Sequence, residues 1–248
     1  MRDVQVLSDF ATDALCAVTA VTAQSNSQVF DVHQVPPEMI RAQIAAAFAT
    51  RKVRAVKIGM LGTRAAIEAL IESLPPRGSI PIVLDPVLAA SSGAMLLDAG
   101  GFEAMREDLI PRATLVTPNV PEAAALLGED LATSETELIA QAQRLLALGP
   151  EAVLLKGGHA TGDEAVDWLV SRSHPVKRLA AQRFQVTRRG TGCALASAIA
   201  AGLAAGVPLS EACGRAKEYV ATLLQETLRR GAPLGLGEVA QNLSRRTR

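Results

Sequence analysis

The chain has 248 residues, a length that accommodates one α/β domain with a substantial core. Its 25 basic and 25 acidic residues balance, and because no basic stripe is interleaved with aromatic residues we expect no nucleic-acid partner. The apolar windows are too short for a membrane helix, no apolar signal region follows the N-terminus, and three scattered cysteines suit neither zinc nor a disulfide framework, so we expect a soluble cytoplasmic protein without a membrane partner.

The predicted elements alternate along the chain. Short apolar runs predict strands at residues 15–23, 53–58, 80–84, 114–116, 152–156, 166–170 and 184–187. Apolar residues at helical spacing predict helices at 37–50, 63–73, 102–109, 120–127 and 136–148, and after Gly192 the pattern is helical up to a last helix at 209–229. This order is typical of the α/β class, with a mostly parallel central sheet and helices on both faces, and it predicts a single domain over 1–248.

Polar side chains follow several of the predicted strands. In open α/β sheets, ligands bind at the carboxyl ends of the strands, so we expect these residues to line one edge of the sheet. The candidates are Gln24, Lys57, Gly59, Met60, Asp85, Asn119, Lys156, Gly158, His159 and the turn at 190–193.

The turn Gly190-Thr191-Gly192-Cys193 leads into a run of small residues that reads as a buried helix. Its two glycines let the backbone turn tightly and aim successive N–H groups at one point, and the helix N-terminus adds a partial positive charge. This combination favours a phosphate group, although an ordinary turn before a helix is the alternative.

Four polar residues at the same edge suit phosphate chemistry, each with a structural alternative. Asp85 is suited to hold Mg²⁺ through water or to cap its loop. Asn119 and Glu122 lie three residues apart and form either a capping box or part of a magnesium site, and the two roles are compatible. Lys156 neutralises charge on a transferred phosphoryl group or simply faces solvent, whereas Lys57 forms an ion pair or contacts a ligand.

Cys193 sits at a predicted helix N-terminus, where we expect a lowered thiol pKa. The alternative is a small buried hydrophobic residue. His33, His159 and His174 lack metal-ligand spacing, and no histidine is placed in sequence to suggest a cysteine hydrolase.

These motifs, in this order, resemble those of the hydroxymethylpyrimidine/phosphomethylpyrimidine kinases of thiamin biosynthesis, within the ribokinase-like superfamily. The resemblance covers nearly the whole chain. The matching segments are Ala20-Val21-Thr22-Ala23-Gln24, Val56-Lys57-Ile58-Gly59-Met60-Leu61, Val83-Leu84-Asp85-Pro86-Val87, Leu115-Val116-Thr117-Pro118-Asn119-Val120-Pro121-Glu122-Ala123, Leu155-Lys156-Gly157-Gly158-His159 and Gly190-Thr191-Gly192-Cys193.

The resemblance implies ATP-dependent phosphorylation of 4-amino-5-hydroxymethyl-2-methylpyrimidine and of its monophosphate. It implies that Cys193 is the catalytic base and that Gly190, Thr191 and Gly192 complete the anion hole. It assigns ATP contacts to Lys156, Asp85, Asn119 and Thr191, a Mg²⁺ site to Glu122 and Asp85, and pyrimidine contacts to Gln24, Met60, Val87 and Asp3. A homodimer is typical of the family.

One departure concerns the region before Asp3. The family opens with a β-strand and a glycine-rich segment, and this sequence begins inside the helix that should follow them. A misplaced start is the favoured interpretation, with a shortened and inactive homologue as the alternative. Two other functions stay open, namely pyridoxal kinase of the same superfamily and a non-catalytic pyrimidine- or nucleotide-binding protein.

Overall fold

Strands and helices alternate along most of the chain in the computed structural model, which describes residues 2–25, 28–90, 92–157, 162–186 and 189–229. The strands are β1 (Ala20–Gln24), β2 (Val29–Gln34), β3 (Val56–Ile58), β4 (Ile82–Leu84), β5 (Leu115–Val116), β6 (Ala152–Lys156), β7 (Glu164–Ser171) and β8 (Lys177–Gln182). The helices are α1 (Arg2–Asp9), α2 (Pro37–Thr50), α3 (Arg64–Ser73), α4 (Ala99–Ala104), α5 (Val120–Leu127), α6 (Glu135–Ala147), α7 (Thr191–Ala204) and α8 (Leu209–Arg229). A π-helical turn, Met105–Leu109, and a 3₁₀ turn, Ile110–Arg112, continue α4.

Six strands form one sheet in the order β3-β4-β5-β6-β7-β8. Strands β3 to β6 pair in parallel, whereas β7 and β8 are antiparallel additions to β6. β1 and β2 form a separate antiparallel hairpin. The predicted α/β class with a mostly parallel sheet is therefore confirmed.

Helices cover both faces of the six-stranded sheet. Successive strand residues point to opposite sides, so each face has apolar side chains that pack against helices. Leu84 and Leu155 belong to the core that packs under α3, α5 and α6. Val83 and Leu154 belong to the core under α7 and α8. All three residues of β4 are buried, which explains why this central strand reads as an unbroken apolar run. In the described part of the chain, no helix has both the length and the apolar character needed to cross a membrane.

Two strand predictions differ most from the structure, and two strands were missed. The strand predicted at 184–187 is not a strand over residues 184–186, where Val186 N–H donates to the Phe184 carbonyl in a tight turn, and Thr187 lies outside the described residues. The strand predicted at 15–23 begins only at Ala20. β2 and β8 were not predicted. The polar residues Asp31 and His33 interrupt the apolar positions of β2, and β8 is an edge strand that begins with Lys177 and Arg178.

Candidate active site

The carboxyl ends of the parallel strands meet at one edge of the sheet. The Asp85 N–H donates to the Ile58 carbonyl at 2.9 Å, and the Thr117 N–H donates to the Leu84 carbonyl at 2.9 Å. The Lys156 N–H donates to the Pro118 carbonyl at 2.8 Å. This ladder of backbone bonds sets side chains from distant parts of the sequence beside one another.

Asp85 and Lys156 form the centre of this edge. Lys156 Nζ lies 3.0 Å from Asp85 Oδ1, and both side chains are largely buried. The Thr117 hydroxyl donates a second hydrogen bond to Asp85 Oδ1 at 3.3 Å. A buried carboxylate is costly unless it is paired, so the lysine and the hydroxyl together keep Asp85 in place.

The turn at residues 190–193 lies against this pair. A side chain at Gly192 would place its Cβ 3.1 Å from Lys156 Nζ and 4.0 Å from the carboxylate oxygens of Asp85. Gly190 has a left-handed φ of 77°, which favours glycine, and it caps α7 without a side-chain hydrogen bond. The first amide bonded within α7 is that of Ala194, which donates to Gly190, so the preceding N–H groups face outward from the helix start.

Asn119 and Glu122 form the capping box that their spacing predicted. The Asn119 N–H donates to Glu122 Oε2 at 2.8 Å, and the Glu122 N–H donates to Asn119 Oδ1 at 2.8 Å. Glu122 Oε2 also lies 3.9 Å from Lys156 Nζ. The start of α5 therefore places the Glu122 carboxylate beside the Asp85–Lys156 pair.

The pKa values of this cluster show how crowded the charges are. Burial by itself would raise the pKa of Asp85, but Lys156 and then Lys57 outweigh it and hold that pKa below its ordinary value. Burial would lower the pKa of Lys156, yet the negative charges of Asp85 and Glu122 keep it raised. Burial raises the pKa of Glu122 despite the attraction of Lys156. The lysine and Asp85 stay charged, whereas Glu122 is the carboxylate that binds its proton most readily.

The expectation of a lowered pKa at Cys193 is wrong. Burial of the thiol, followed by the negative charge of Asp85, raises its pKa to about 11, and Lys57 opposes this shift only in part. The helix N-terminus predicted the opposite sign because the sequence does not show which carboxylates the fold brings to the thiol.

Lys57 is a site residue whose role the sequence left open, and the structure shows the ion pair. Its side chain is 8% exposed and its Nζ lies 2.9 Å from Asp3 Oδ2. The hydroxyl of Ser197 donates to the other oxygen of Asp3 at 2.9 Å. The positive charges of Lys57 and Lys156 both act on Asp85, and that of Lys57 also acts on Cys193. In the sequence, the position of Lys57 inside an apolar strand was the one sign that its charge would be buried and paired.

Three of the residues expected to contact the pyrimidine, Gln24, Met60 and Val87, lie at or just after the ends of β1, β3 and β4. Gln24, at the exposed end of β1, accepts a 2.8 Å hydrogen bond from Arg189 and donates to the Thr22 hydroxyl at 2.9 Å. Arg189 immediately precedes Gly190, so this hydrogen bond joins the β1–β2 hairpin to the glycine turn. The sequence analysis did not assign Arg189 a role in the site. The Met60 carbonyl accepts from the Thr19 hydroxyl at 2.6 Å.

Val87 is half-buried and follows Asp85, to whose carbonyl its N–H donates at 2.8 Å. Two of the expected residues, Gly158 and His159, lie outside the described residues.

The donor set is compatible with Mg²⁺ that is bound mainly through water and phosphate. This ion prefers oxygen ligands and commonly uses one or two carboxylates together with substrate phosphates. Asp85 and Glu122 are such carboxylates, and both face Lys156. Within the described ranges, no three His, Cys, Asp or Glu side chains are grouped to hold a metal by themselves. The protein therefore fits a shared magnesium site rather than a closed cage.

Solved structures of small-molecule kinases superpose on this chain. A phosphomethylpyrimidine kinase from Clostridium difficile 630 superposes with a TM-score of 0.77 at 35% identity, over 89% of this chain and 90% of that one. The Staphylococcus aureus pyridoxal kinase in complex with ADP gives a TM-score of 0.81 at 30% identity, over 90% and 81%. The fold and the sheet edge, with these neighbours, define a ribokinase-like phosphotransferase.

The sequence comparisons narrow this class further. The family model described as phosphomethylpyrimidine kinase matches residues 1–238. A hydroxymethylpyrimidine/phosphomethylpyrimidine kinase from Rhizobium meliloti is 42% identical over 219 residues, covering 88% of this chain and 82% of the relative. The chain belongs to the phosphomethylpyrimidine kinase family.

Proposed function

We propose that the chain, acting as a single domain over residues 1–248, transfers the γ-phosphoryl group of ATP to 4-amino-5-hydroxymethyl-2-methylpyrimidine and then to the resulting monophosphate. The observation that carries this proposal is the contact between the glycine turn and the Asp85–Lys156 pair. It brings backbone donors and a buried ammonium to one point at the sheet edge. Relatives that bear this activity in their names support the choice of substrate.

The phosphate end of the site works by positioning and charge. We assign the amides of Gly190, Thr191, Gly192 and Cys193 to the anion hole, with Thr191 also contacting ATP. Phosphoryl transfer places negative charge on the oxygens around phosphorus, and fixed N–H groups stabilise that charge without reorganising. Lys156 neutralises the same charge from the side of β6, where Asp85 holds its ammonium.

The metal side of the site is assigned to Glu122 and Asp85. These carboxylates would hold Mg²⁺ through water, and Asn119 would orient Glu122 while contacting ATP. The ion, when bound, supplies positive charge that shields the phosphates of ATP from the attacking oxygen.

Cys193 is assigned as the group that accepts the proton of the substrate hydroxymethyl group. Its thiol is protonated at neutral pH, because its pKa is about 11 in this environment. Only the thiolate can take a proton, so the reactive fraction is small and grows as the pH rises. Lys57 favours that thiolate, and this gives the buried lysine a purpose in the reaction.

The pyrimidine side is assigned to Gln24, Met60, Val87 and Asp3. An amide offers both a donor and an acceptor to an aminopyrimidine edge, and Arg189 keeps the Gln24 oxygen turned toward itself because a guanidinium only donates. Met60 and Val87 would pack on the ring. Asp3 would act on the polar groups of the substrate together with Lys57, which it already holds.

A second candidate is pyridoxal phosphorylation, favoured by one observation. Solved pyridoxal kinases superpose on this chain with TM-scores up to 0.81 at 30% identity. The two activities share the phosphate end of the site and differ in the ring that is bound.

The test is phosphorylation by the purified chain of each substrate in turn. ATP would be mixed with the hydroxymethylpyrimidine, its monophosphate or pyridoxal, and products identified by mass spectrometry. We expect kcat/KM for both pyrimidines to exceed that for pyridoxal by about 10² or more, the discrimination available when a site is built around hydrogen-bonding groups. A preference for pyridoxal, or binding of ATP and pyrimidine without product, would overturn the proposal.

We further propose that the chain works as a homodimer in the cytoplasm. The β1–β2 hairpin leaves Val21 and Phe30 57% and 65% exposed, and a two-stranded ribbon of this kind gains stability from further packing. Sedimentation of the chain should give a dimer, and Phe30→Asp should shift it toward monomer. A monomeric parent chain at micromolar concentration contradicts this proposal.

A further inference from the structure

A second buried lysine–aspartate pair lies beside the active site but outside its cluster of side chains. Lys217 Nζ, on α8, is 2.6 Å from Asp167 Oδ2, on β7. The two residues are only 9% and 3% exposed. A buried ion pair is weak evidence for stability, because desolvation offsets most of its Coulomb energy. Its position in the fold suggests another use.

Asp167 also holds the end of the strand that carries Lys156. In the antiparallel register of β6 and β7, Asp167 is the residue opposite Lys156. Asp167 Oδ1 accepts a hydrogen bond from the Gly157 N–H at 3.1 Å, and that N–H also donates to the Val166 carbonyl at 3.1 Å. A Cβ at Gly157 would lie 2.5 Å from the Val166 oxygen, so the backbone passes there without room for a side chain.

The backbone of Lys156 is therefore fixed on both sides. Its own N–H donates to the Pro118 carbonyl at 2.8 Å, and the next N–H is held by Asp167. The four-carbon stem of a lysine has a limited reach, so the end of the strand determines which positions beside Asp85 the ammonium can occupy. Small displacements of a charged group at a phosphoryl-transfer site are costly in rate.

We propose that Asp167 is a positioning residue for Lys156, and that Lys217 is the partner that allows this carboxylate to be buried beside the Gly157 N–H. The pair acts through the backbone and does not touch a substrate. This inference rests on the proposed use of Lys156 toward ATP. It assigns to Asp167 a role in ATP binding rather than in pyrimidine binding, and Lys217 is needed only as the partner of the carboxylate.

The experiment compares two double variants that differ in one acceptor. Asp167→Asn/Lys217→Met removes both charges but keeps a carbonyl oxygen for the Gly157 N–H. Asp167→Leu/Lys217→Met removes the charges and that oxygen. Glu164→Leu/Arg178→Met is the matched control, because it removes an exposed ion pair that joins β7 to β8. Should the leucine variant fail to fold, Asp167→Ala/Lys217→Met takes its place.

The readouts are KM for ATP, KM for the pyrimidine, kcat, equilibrium binding of a fluorescent ATP analogue, and the thermal unfolding midpoint. We expect the variant without the acceptor to raise KM for ATP about tenfold and to weaken analogue binding equally, with KM for the pyrimidine unchanged. The asparagine variant and the control should stay within about twofold of the parent. A merely structural role would lower the unfolding midpoint and the active fraction without changing KM for ATP.

Equal ATP affinity in the two double variants would overturn the inference, whether both lose it or neither does. Lys156→Met separates this failure from failure of the proposed function. If Lys156→Met leaves both analogue binding and kcat/KM for ATP unchanged, then Lys156 does not serve ATP, and its assigned role falls together with the positioning role of Asp167. If it weakens binding while the loss of the Asp167 acceptor does not, only the positioning role is wrong.

Discussion

Two buried lysine–aspartate pairs lie close together and differ in their surroundings. The pair of Asp85 and Lys156 is crowded, with Glu122 3.9 Å from the same ammonium and with Lys57 acting on the same carboxylate. The pair of Asp167 and Lys217 has one neighbouring donor in the backbone, the Gly157 N–H.

This difference matches the two roles that we propose, with the Asp85–Lys156 pair in the reactive site and the Asp167–Lys217 pair supporting it. In the crowded cluster, the carboxylates of Asp3, Asp85 and Glu122 face the ammonium groups of Lys57 and Lys156, so negative charge exceeds positive charge. Such an imbalance leaves room for a cation and perturbs pKa values, as at Glu122 and Cys193. In the other pair the charges match.

Removing each lysine in turn is the strongest test of this comparison. Lys156→Met should lower kcat/KM for ATP by about 10³, a loss typical of a group that stabilises transition-state charge. Lys217→Met should lower the free energy of unfolding by about 3 kcal/mol, because it leaves Asp167 buried without its counter-charge. Lys156→Met should cost less stability, since Lys57 still acts on Asp85. Steady-state kinetics measure kcat/KM for ATP, and urea unfolding measures the free energy of unfolding. If the two variants lose the same activity and the same stability, the two pairs do not have different roles.

The proposed proton acceptor provides the next largest effect. Cys193→Ala should lower kcat by about 10² or more, the usual loss for a general base, with little change in ATP binding. Because the thiol pKa is raised to about 11, kcat/KM of the parent chain should increase with pH, about tenfold per pH unit near neutrality. Cys193→Asp should flatten this profile, since a carboxylate is already ionised there. Unchanged turnover in the alanine variant would reject the assignment.

Glu122→Gln tests the excess charge directly. The glutamine oxygen can still accept from the Asn119 N–H, so the helix cap is kept while the charge is removed. We expect kcat/KM for ATP to fall about tenfold, as the proposed magnesium carboxylate is lost.

Stability should change in the opposite direction. The pKa of Glu122 is raised by burial, so the folded state gains from its protonated form below the ordinary pKa and loses that gain as the pH rises through the raised value. At neutral pH the glutamine variant should therefore unfold at equal or higher urea concentration than the parent. This advantage should shrink at acidic pH, and a less stable variant at neutral pH would show that Glu122 is not strained by burial.

The last test lies away from both pairs, at the hairpin, where only the pyrimidine should be affected. Gln24→Ala should raise KM for the pyrimidine about tenfold and leave KM for ATP unchanged, since one hydrogen-bonding side chain is lost. Arg189→Met should reproduce part of this loss, because it frees the Gln24 amide to rotate. If Gln24→Ala changes only KM for ATP, the assignment of Gln24 to pyrimidine binding is wrong.

Local patterns in the sequence predicted much of this architecture. The apolar runs located β4 and β6, whose ends carry Asp85 and Lys156, because buried parallel strands lack polar positions. The spacing of Asn119 and Glu122 predicted their capping box, since that contact lies within one helical turn.

Contacts between distant segments were beyond the sequence. Lys57 pairs with Asp3, which lies 54 positions away, and Arg189 reaches Gln24 across 165 positions. The pKa of Cys193 was predicted with the wrong sign for the same reason, because the thiol is buried and approached by Asp85 and Asp3 only in the folded chain.

The reversal of strand direction between β6 and β7 has a consequence for how this kind of enzyme can vary. Because β7 runs antiparallel, it starts beside the place where β6 ends, and Asp167 braces that end before the connecting segment begins. Insertions or deletions in the connection would then leave the lysine where it is. The charge assigned to the phosphates would stay anchored to the sheet, because the bonds that hold it belong to β6 and β7 themselves.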